Sequence, residues 1–351
     1  MPGVVMMRST SRGGLVAVIV MVVAGIGVAA AEHYAKVAEI KIGGAGAFDY
    51  LTVDSASKRL YVTHGSEIVV IDLTTNAIVG RIADTPRVHG IAIGANGRGF
   101  TSNGGENRVG IVDLKTLATL SKVDTGANPD AILYVPTRKE VYAFNHTGES
   151  ATIIDAEKGT AITTVKLGGQ AETGQADAAL GKVFVNIEDK STVDVIDMAT
   201  HTVVATWPVA PAEEPTGMAI DTATHRVFVG GGPSLVMLDA NTGKVLASLK
   251  ICGGTDATAF DPATKNIFVS CGDGHITVAH EDSPATLSLV ETFETARGAR
   301  TMALDPASHR VYTAAVDFGA PVPNAPPPPP GRRGGPPPVP DSFHVLVFAP
   351  K

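Results

Sequence analysis

Positive charge, tryptophan and cysteine are all scarce in this chain, and each scarcity removes a class of function. Lys and Arg number 28 against 35 Asp and Glu, for a formal net charge of -7. A nucleic-acid-binding face needs clustered basic side chains, so the acidic balance argues against DNA or RNA as a partner. The lone tryptophan, Trp207, cannot supply a quinone built from two tryptophans, nor the tryptophan docking motifs of large quinoprotein propellers. Two cysteines without a C-x-x-C-H motif exclude covalently attached haem. The H-E-x-x-H zinc helix and the G-x-S-x-G nucleophile elbow are missing too. No segment keeps apolar residues at 3.6-residue spacing, which argues against leucine-rich and helical repeats.

Long apolar runs are confined to the N-terminus. Arg8 and Arg12 precede Leu15–Val28 (LVAVIVMVVAGIGV), which ends in Ala29-Ala30-Ala31. A basic start, a short apolar core and a small-residue site describe a secretory signal over residues 1–31. The run is short for a membrane span, and a retained anchor is the alternative. Cleavage lowers the formal charge to -9 and leaves residues 32–351 in the periplasm or outside the cell, an oxidising setting.

What fills the rest is a repeat. Val53-Asp54-Ser55-Ala56-Ser57-Lys58-Arg59-Leu60-Tyr61-Val62-Thr63 leads into Ile68-Val69-Val70-Ile71-Asp72 and then Ala77-Ile78-Val79. The aromatic recurs at Tyr61, Phe100, Tyr142, Phe184, Phe228, Phe268 and Tyr312, at intervals of 39 to 44 residues. The closing acid recurs at Asp72, Asp113, Asp155, Asp197 and Asp239, with His280 and Ala349 in the last two units. Four short β-branched runs per unit, separated by Gly, Asp, Asn and Thr, predict four-stranded propeller blades. Seven anchors predict seven blades in one all-β domain.

The ends obey the same logic. The seventh unit has strands near 300–305, 310–316 and 343–349, and no fourth. Lys36–Ile42 (KVAEIKI) reads as that missing strand, completing the last blade and covering its edge. Residues 319–340 (GAPVPNAPPPPPGRRGGPPPVP) interrupt the seventh unit as a Pro-rich loop. It reads as a solvated spacer or as a segment that docks in an aromatic groove.

Leu60-Tyr61-Val62-Thr63, Val311-Tyr312-Thr313 and third strands such as Val195-Ile196-Asp197 make the chain resemble the YVTN-repeat (YncE-like) β-propeller family. The resemblance covers nearly all of residues 32–351. It implies a secreted or periplasmic seven-bladed propeller, mostly of unassigned role. Some relatives are called DNA-binding. Others share the architecture of quinoprotein amine dehydrogenase subunits or lactonases. Such repeats specify fold far more than function.

Two features remain for chemistry. Cys252 precedes the first strand of blade six and Cys271 ends the second. Those strands run antiparallel, so the thiols meet at one end of the blade, and an oxidising compartment favours a disulfide over free thiols or a metal pair. Stacking the repeats also aligns Asp49, His89, Asp130, Glu172, Thr216, Asp256 and Arg300 at the start of the innermost strands. All are polar, with a formal net charge of -3 when His89 is neutral. They are the candidate ligand-binding residues, at one mouth of the central channel. The same positions can equally be hydrated or bridge the seams between blades. Carboxylates with one imidazole suit a hard divalent cation, which Arg300 opposes; no other cofactor is expected. The tripeptide Asn145-His146-Thr147 matches a glycosylation sequon at an ordinary turn.

The expectation is therefore a monomeric, exported, non-catalytic propeller that binds a small molecule or a periplasmic protein at that mouth, with no catalytic residue assigned. The rival is a lactonase-like hydrolase or a dehydrogenase subunit. There His89 would act as base, oriented by Asp130 or Asp49, with Arg300 steadying negative charge.

Overall fold

Short runs of β-branched residues can bury both faces only if sheets stack on sheets, and this is how the chain folds. The computed structural model describes residues 33–44, 48–320 and 337–351. Seven four-stranded antiparallel sheets form the blades of a propeller. Blade 1 runs Leu51–Asp54, Arg59–His64, Glu67–Asp72 and Ala77–Ile82 from the channel outward. Blades 2 to 6 repeat that order.

Closure follows the sequence expectation. Blade 7 supplies Met302–Asp305, Arg310–Ala315 and His344–Pro350, and Tyr34–Lys41 from the N-terminal side pairs with the last of these, from Tyr34↔Pro350 to Lys41↔His344. Tyr34 reaches further, packing on Phe268 and Phe293 of blade 6 at centroid distances of 5.1 and 5.7 Å. The closing strand therefore ties the last two blades together as well as hiding an edge.

The recurrent residues have identifiable duties. All seven anchor aromatics are buried, and each fills the seam to the next blade. Tyr61 packs with Val88, Ile91 and Val112 of blade 2, and Tyr312 packs with Leu60 and Val62 of blade 1. One large ring per repeat is what a tapering seam needs at native packing density. The acid closing each third strand builds the turn that follows. Asp72 Oδ1 accepts the N–H groups of Thr74 and Thr75 at 2.8 and 2.9 Å. Asp113, Asp155, Asp197 and Asp239 do the same, the usual side-chain mimicry of a tight turn. Blade 6 has His280 there, and its outer hairpin runs on through His275–Ser283 and Thr286–Glu294.

Polar side-chain clasps lock several seams. Asp177, Asp221 and Asp261, at the far ends of their innermost strands, hold His225, Lys265 and His309 of the following blade at 2.6, 2.8 and 2.6 Å. Cys252 and Cys271 are disulfide-bonded, with Cα atoms 5.8 Å apart. The Pro-rich insertion leaves between the second and third strands of blade 7, as its position in the repeat requires. Its two stems pair through Gly319 N–H to Pro337 O at 2.9 Å and Val339 N–H to Asp317 O at 2.8 Å. The body of that loop, residues 321–336, and the expected signal segment lie outside the described residues. Among the described residues, no helix is long and apolar enough to cross a membrane.

Candidate functional site

An innermost strand in regular pairing turns its side chains toward the neighbouring blades. At the candidate ring the pairing is not regular. In blades 2 to 6 the register slips where His89, Asp130, Glu172, Thr216 and Asp256 sit. Each occupies a β-bulge, which kinks the strand and re-aims a side chain. Asp49 and Arg300 lie two residues before the innermost strands of blades 1 and 7.

Three bulged residues and Asp49 form one web. His89 Nδ1 lies 2.7 Å from Asp49 Oδ2 and 3.5 Å from Asp130 Oδ2, linking blades 1, 2 and 3. Tyr50 Oη donates to Glu172 Oε2 at 3.2 Å, spanning from blade 1 to blade 4 across the mouth. Glu172 Oε1 in turn lies 3.0 Å from His146 Nδ1, and His146 Nε2 lies 4.0 Å from Glu188. The other ring members stand apart. Arg300 Nε donates to Asp256 at 3.2 Å, and Thr216 spends its hydroxyl on the Thr255 carbonyl at 3.0 Å.

Tyr50, His146 and Glu188 escape the sequence reading, though each breaks the repeat. The residue after the ring position is Gly90, Ala131, Thr173, Gly217, Ala257 or Thr301 in six blades and Tyr50 in blade 1. Four residues past the anchor aromatic the chain has Gly65, Gly104, Gly232 and Gly272, but His146 and Glu188 in blades 3 and 4 and the apolar Val316 in blade 7. His146 thus does more than occupy an ordinary sequon turn.

Crowded acids in a half-dry channel set the protonation balance. Burial, then the charges of Glu172 and Asp49, push the Asp130 carboxyl well above the usual range. His146 rises to about 9, chiefly through its hydrogen bond to Glu172. Burial opposes charge on His89, but the hydrogen bond to Asp49 and the nearby acids outweigh it and raise its pKa. Asp256 rises to about 7 because burial outweighs the charge of Arg300.

His89 presents only one nitrogen to this web. Its Nε2 is buried, with no hydrogen-bond partner among the described residues, as is Asn128 Oδ1. A Cβ on Gly104 would lie 2.7 Å from that nitrogen and 2.6 Å from that oxygen. Glycine at position 104 is therefore what lets the imidazole fit. A cavity of about 250 Å³ opens elsewhere, along the far halves of the innermost strands, lined by Gln175, Ala219, Ile220, Thr258, Phe260 and Leu304 among others. It contains no ionisable group and none of the ring.

No protein-family profile matches the chain. Over 149 residues it is 28% identical to the uncharacterized protein YncE of Salmonella typhi and 27% identical to YncE of Salmonella typhimurium. The chain is distantly similar to YncE. The match covers 40% of this chain and spans 42% of either relative's length. Among solved structures, this YncE-like propeller superposes on Kuenenia stuttgartiensis hydrazine synthase with a TM-score of 0.69 at 15% identity, over 78% of this chain and 94% of that one. A chain of the mitotic checkpoint complex gives a TM-score of 0.70 at 13% identity, over 88% and 96%. At such identities the likeness is one of fold alone.

Proposed function

We propose that the protein is an exported, non-catalytic binding propeller that takes a small polar ligand at the ring mouth. One observation carries the reading: Asp49, His89, Asp130, Glu172, His146 and Tyr50 from four blades meet at one end of the channel. Convergent polar groups on a rigid scaffold are what a small-ligand site requires. In the adjoining blade 7, Arg300 donates through Nε to Asp256, and its guanidinium has further donors to offer an acceptor on the ligand. The Cys252–Cys271 bridge supports export, since structural disulfides persist in oxidising compartments.

Binding fits better than catalysis because of His89. A general base must present a nitrogen to its substrate. Here Nδ1 is engaged by Asp49 and Nε2 is sealed against Gly104.

Native mass spectrometry of the purified chain tests the reading. A co-purifying small molecule should appear on the wild type and be lost from Asp130→Ala/Arg300→Ala while the fold is retained. Robust lactone or amine turnover that vanishes in His89→Ala would overturn it. So would a bound ligand mapped to the Gln175–Phe260 cavity.

A further inference from the structure

The two sides of the mouth are held in different ways. The web around His89 and Glu172 is braced between blades by its own side chains. Asp256 and Arg300 stand apart from it and pair with each other at 3.2 Å, so their placement depends on the backbone that carries them. That backbone converges on one turn. Gly272 N–H donates to the Gly254 carbonyl at 2.8 Å, and the Gly272 carbonyl accepts the Gly298 N–H at 3.0 Å. Gly254 lies two residues before Asp256, and Gly298 two residues before Arg300. Further bonds reinforce both sides of the turn. Gly253 N–H donates to Asp273 Oδ2 at 2.8 Å, Thr295 N–H to the Gly274 carbonyl at 2.8 Å, and the Ser270 hydroxyl to the Arg300 carbonyl. Glycines at 253, 254, 272, 274 and 298 restrain this backbone little. The covalent restraint is the disulfide, which joins Cys252, two residues before Gly254, to Cys271, the neighbour of Gly272.

From this arrangement we propose that Cys252–Cys271 is a redox-sensitive clamp on the Arg300 side of the mouth: closed, it holds Asp256 against Arg300, and opened by a dithiol, it releases the pair. Its value as regulation rests on the reading of this mouth as a binding site. An oxidising compartment keeps the clamp closed at rest. Cys252 is half-buried and Cys271 fully buried, so exchange starts at Cys252. A thiolate of the dithiol attacks Cys252 Sγ, the S–S bond breaks, and Cys271 leaves as a thiolate and takes a proton. The second thiol of the reagent then displaces Cys252 from the mixed disulfide. The protein gains two electrons and two protons, and the dithiol becomes a disulfide. The glycine-rich approaches to Asp256 and Arg300 are then held by hydrogen bonds alone.

The test follows Asp and His titrations by NMR in the whole isotope-labelled chain, oxidised, reduced with dithiothreitol, and reoxidised. Asp256→Asn identifies the Asp256 signal. Asp256 titrates at about 7 in the oxidised protein, chiefly through burial. On reduction it should fall by about one pH unit or more toward the ordinary carboxylate range, and reoxidation should restore it. His146, at about 9 on the braced side, should not move. Cys252→Ser/Cys271→Ser should match the reduced protein without reagent. An Asp256 titration unchanged by reduction would overturn the clamp. So would equal movement of Asp256 and His146, or a collapse of the circular dichroism, because the bridge would then be a general stabiliser. Native mass spectrometry of the same samples separates the clamp from the binding reading. A small molecule on the oxidised chain should be lost on reduction, and its full retention would overturn the regulation. No small molecule on the oxidised chain would overturn the binding reading, with the titration still deciding the clamp.

Discussion

Asp256 offers a test in which two opposed effects fix the sign of the result. Arg300 lies 3.2 Å away and favours the ionised carboxylate, while burial and the charges of Asp49 and Glu172 disfavour it. Burial wins, and the carboxyl titrates near 7. An acid whose pKa is raised by folding contributes its full stability below the unfolded value near 4. That contribution is lost as pH rises through about 7. Between pH 5 and pH 8 the loss works out at about 2–3 kcal/mol. Asp256→Asn keeps the shape and an acceptor for Arg300 but cannot titrate. Urea unfolding of the wild type and variant at both pH values checks this. The wild type should lose stability relative to the variant by that amount on going from pH 5 to pH 8. A difference constant to within about 0.5 kcal/mol would refute the reasoning. So would one of opposite sign, because Arg300 would then outweigh desolvation.

Two further outcomes follow from the closure and the rim. Tyr34→Ala removes both ring contacts to blade 6 and the hydroxyl bond to the His309 carbonyl at 3.0 Å. It should cost about 3–5 kcal/mol in denaturant unfolding, and an unchanged midpoint would mean that the closing strand does not tie blades 6 and 7. Reducing Cys252–Cys271, which closes a segment with a sequence separation of 19, should cost about 3 kcal/mol by chain entropy. Denatured, unreduced protein should show no titratable thiol, and two thiols per chain would reject the bridge.

The fold was legible because each recurring residue has one local duty that sequence displays directly. An anchor aromatic fills a seam, and an aspartate builds a turn. Blade number, strand order and the borrowed N-terminal strand all follow from counting them. The disulfide followed from antiparallel topology. The ring was legible as positions but not as a web, since a bulge leaves no mark in an alternating pattern. Nothing in the spacing separates Thr216, which bonds to the Thr255 carbonyl, from Glu172, which meets Tyr50 and His146. His146 was hidden for a different reason. It sits on a turn, where a histidine carries no periodic signal, and only its contact with Glu172 gives it meaning.

The distribution of these irregularities supports a localised site over a merely hydrated mouth. Hydration alone accounts for a polar residue at each of the seven ring positions, but it would scatter the neighbouring departures from the repeat. Instead the departures from the repeat cluster. Tyr50 replaces a small residue in blade 1, and His146 and Glu188 replace glycine in blades 3 and 4. Blade 2 keeps Gly104, which is what the imbedded His89 ring demands. These four blades also supply Asp49, His89, Asp130 and Glu172, the connected part of the ring. Blade 5, by contrast, has Thr216 at the ring position and Gly232 on the turn, and neither adds charge. Bulges make this asymmetry cheap, because the bulged residue is unpaired in the ladder and its side chain can vary without disturbing the sheet. The repeat can thus hold the fold constant in seven blades while four of them carry the proposed site.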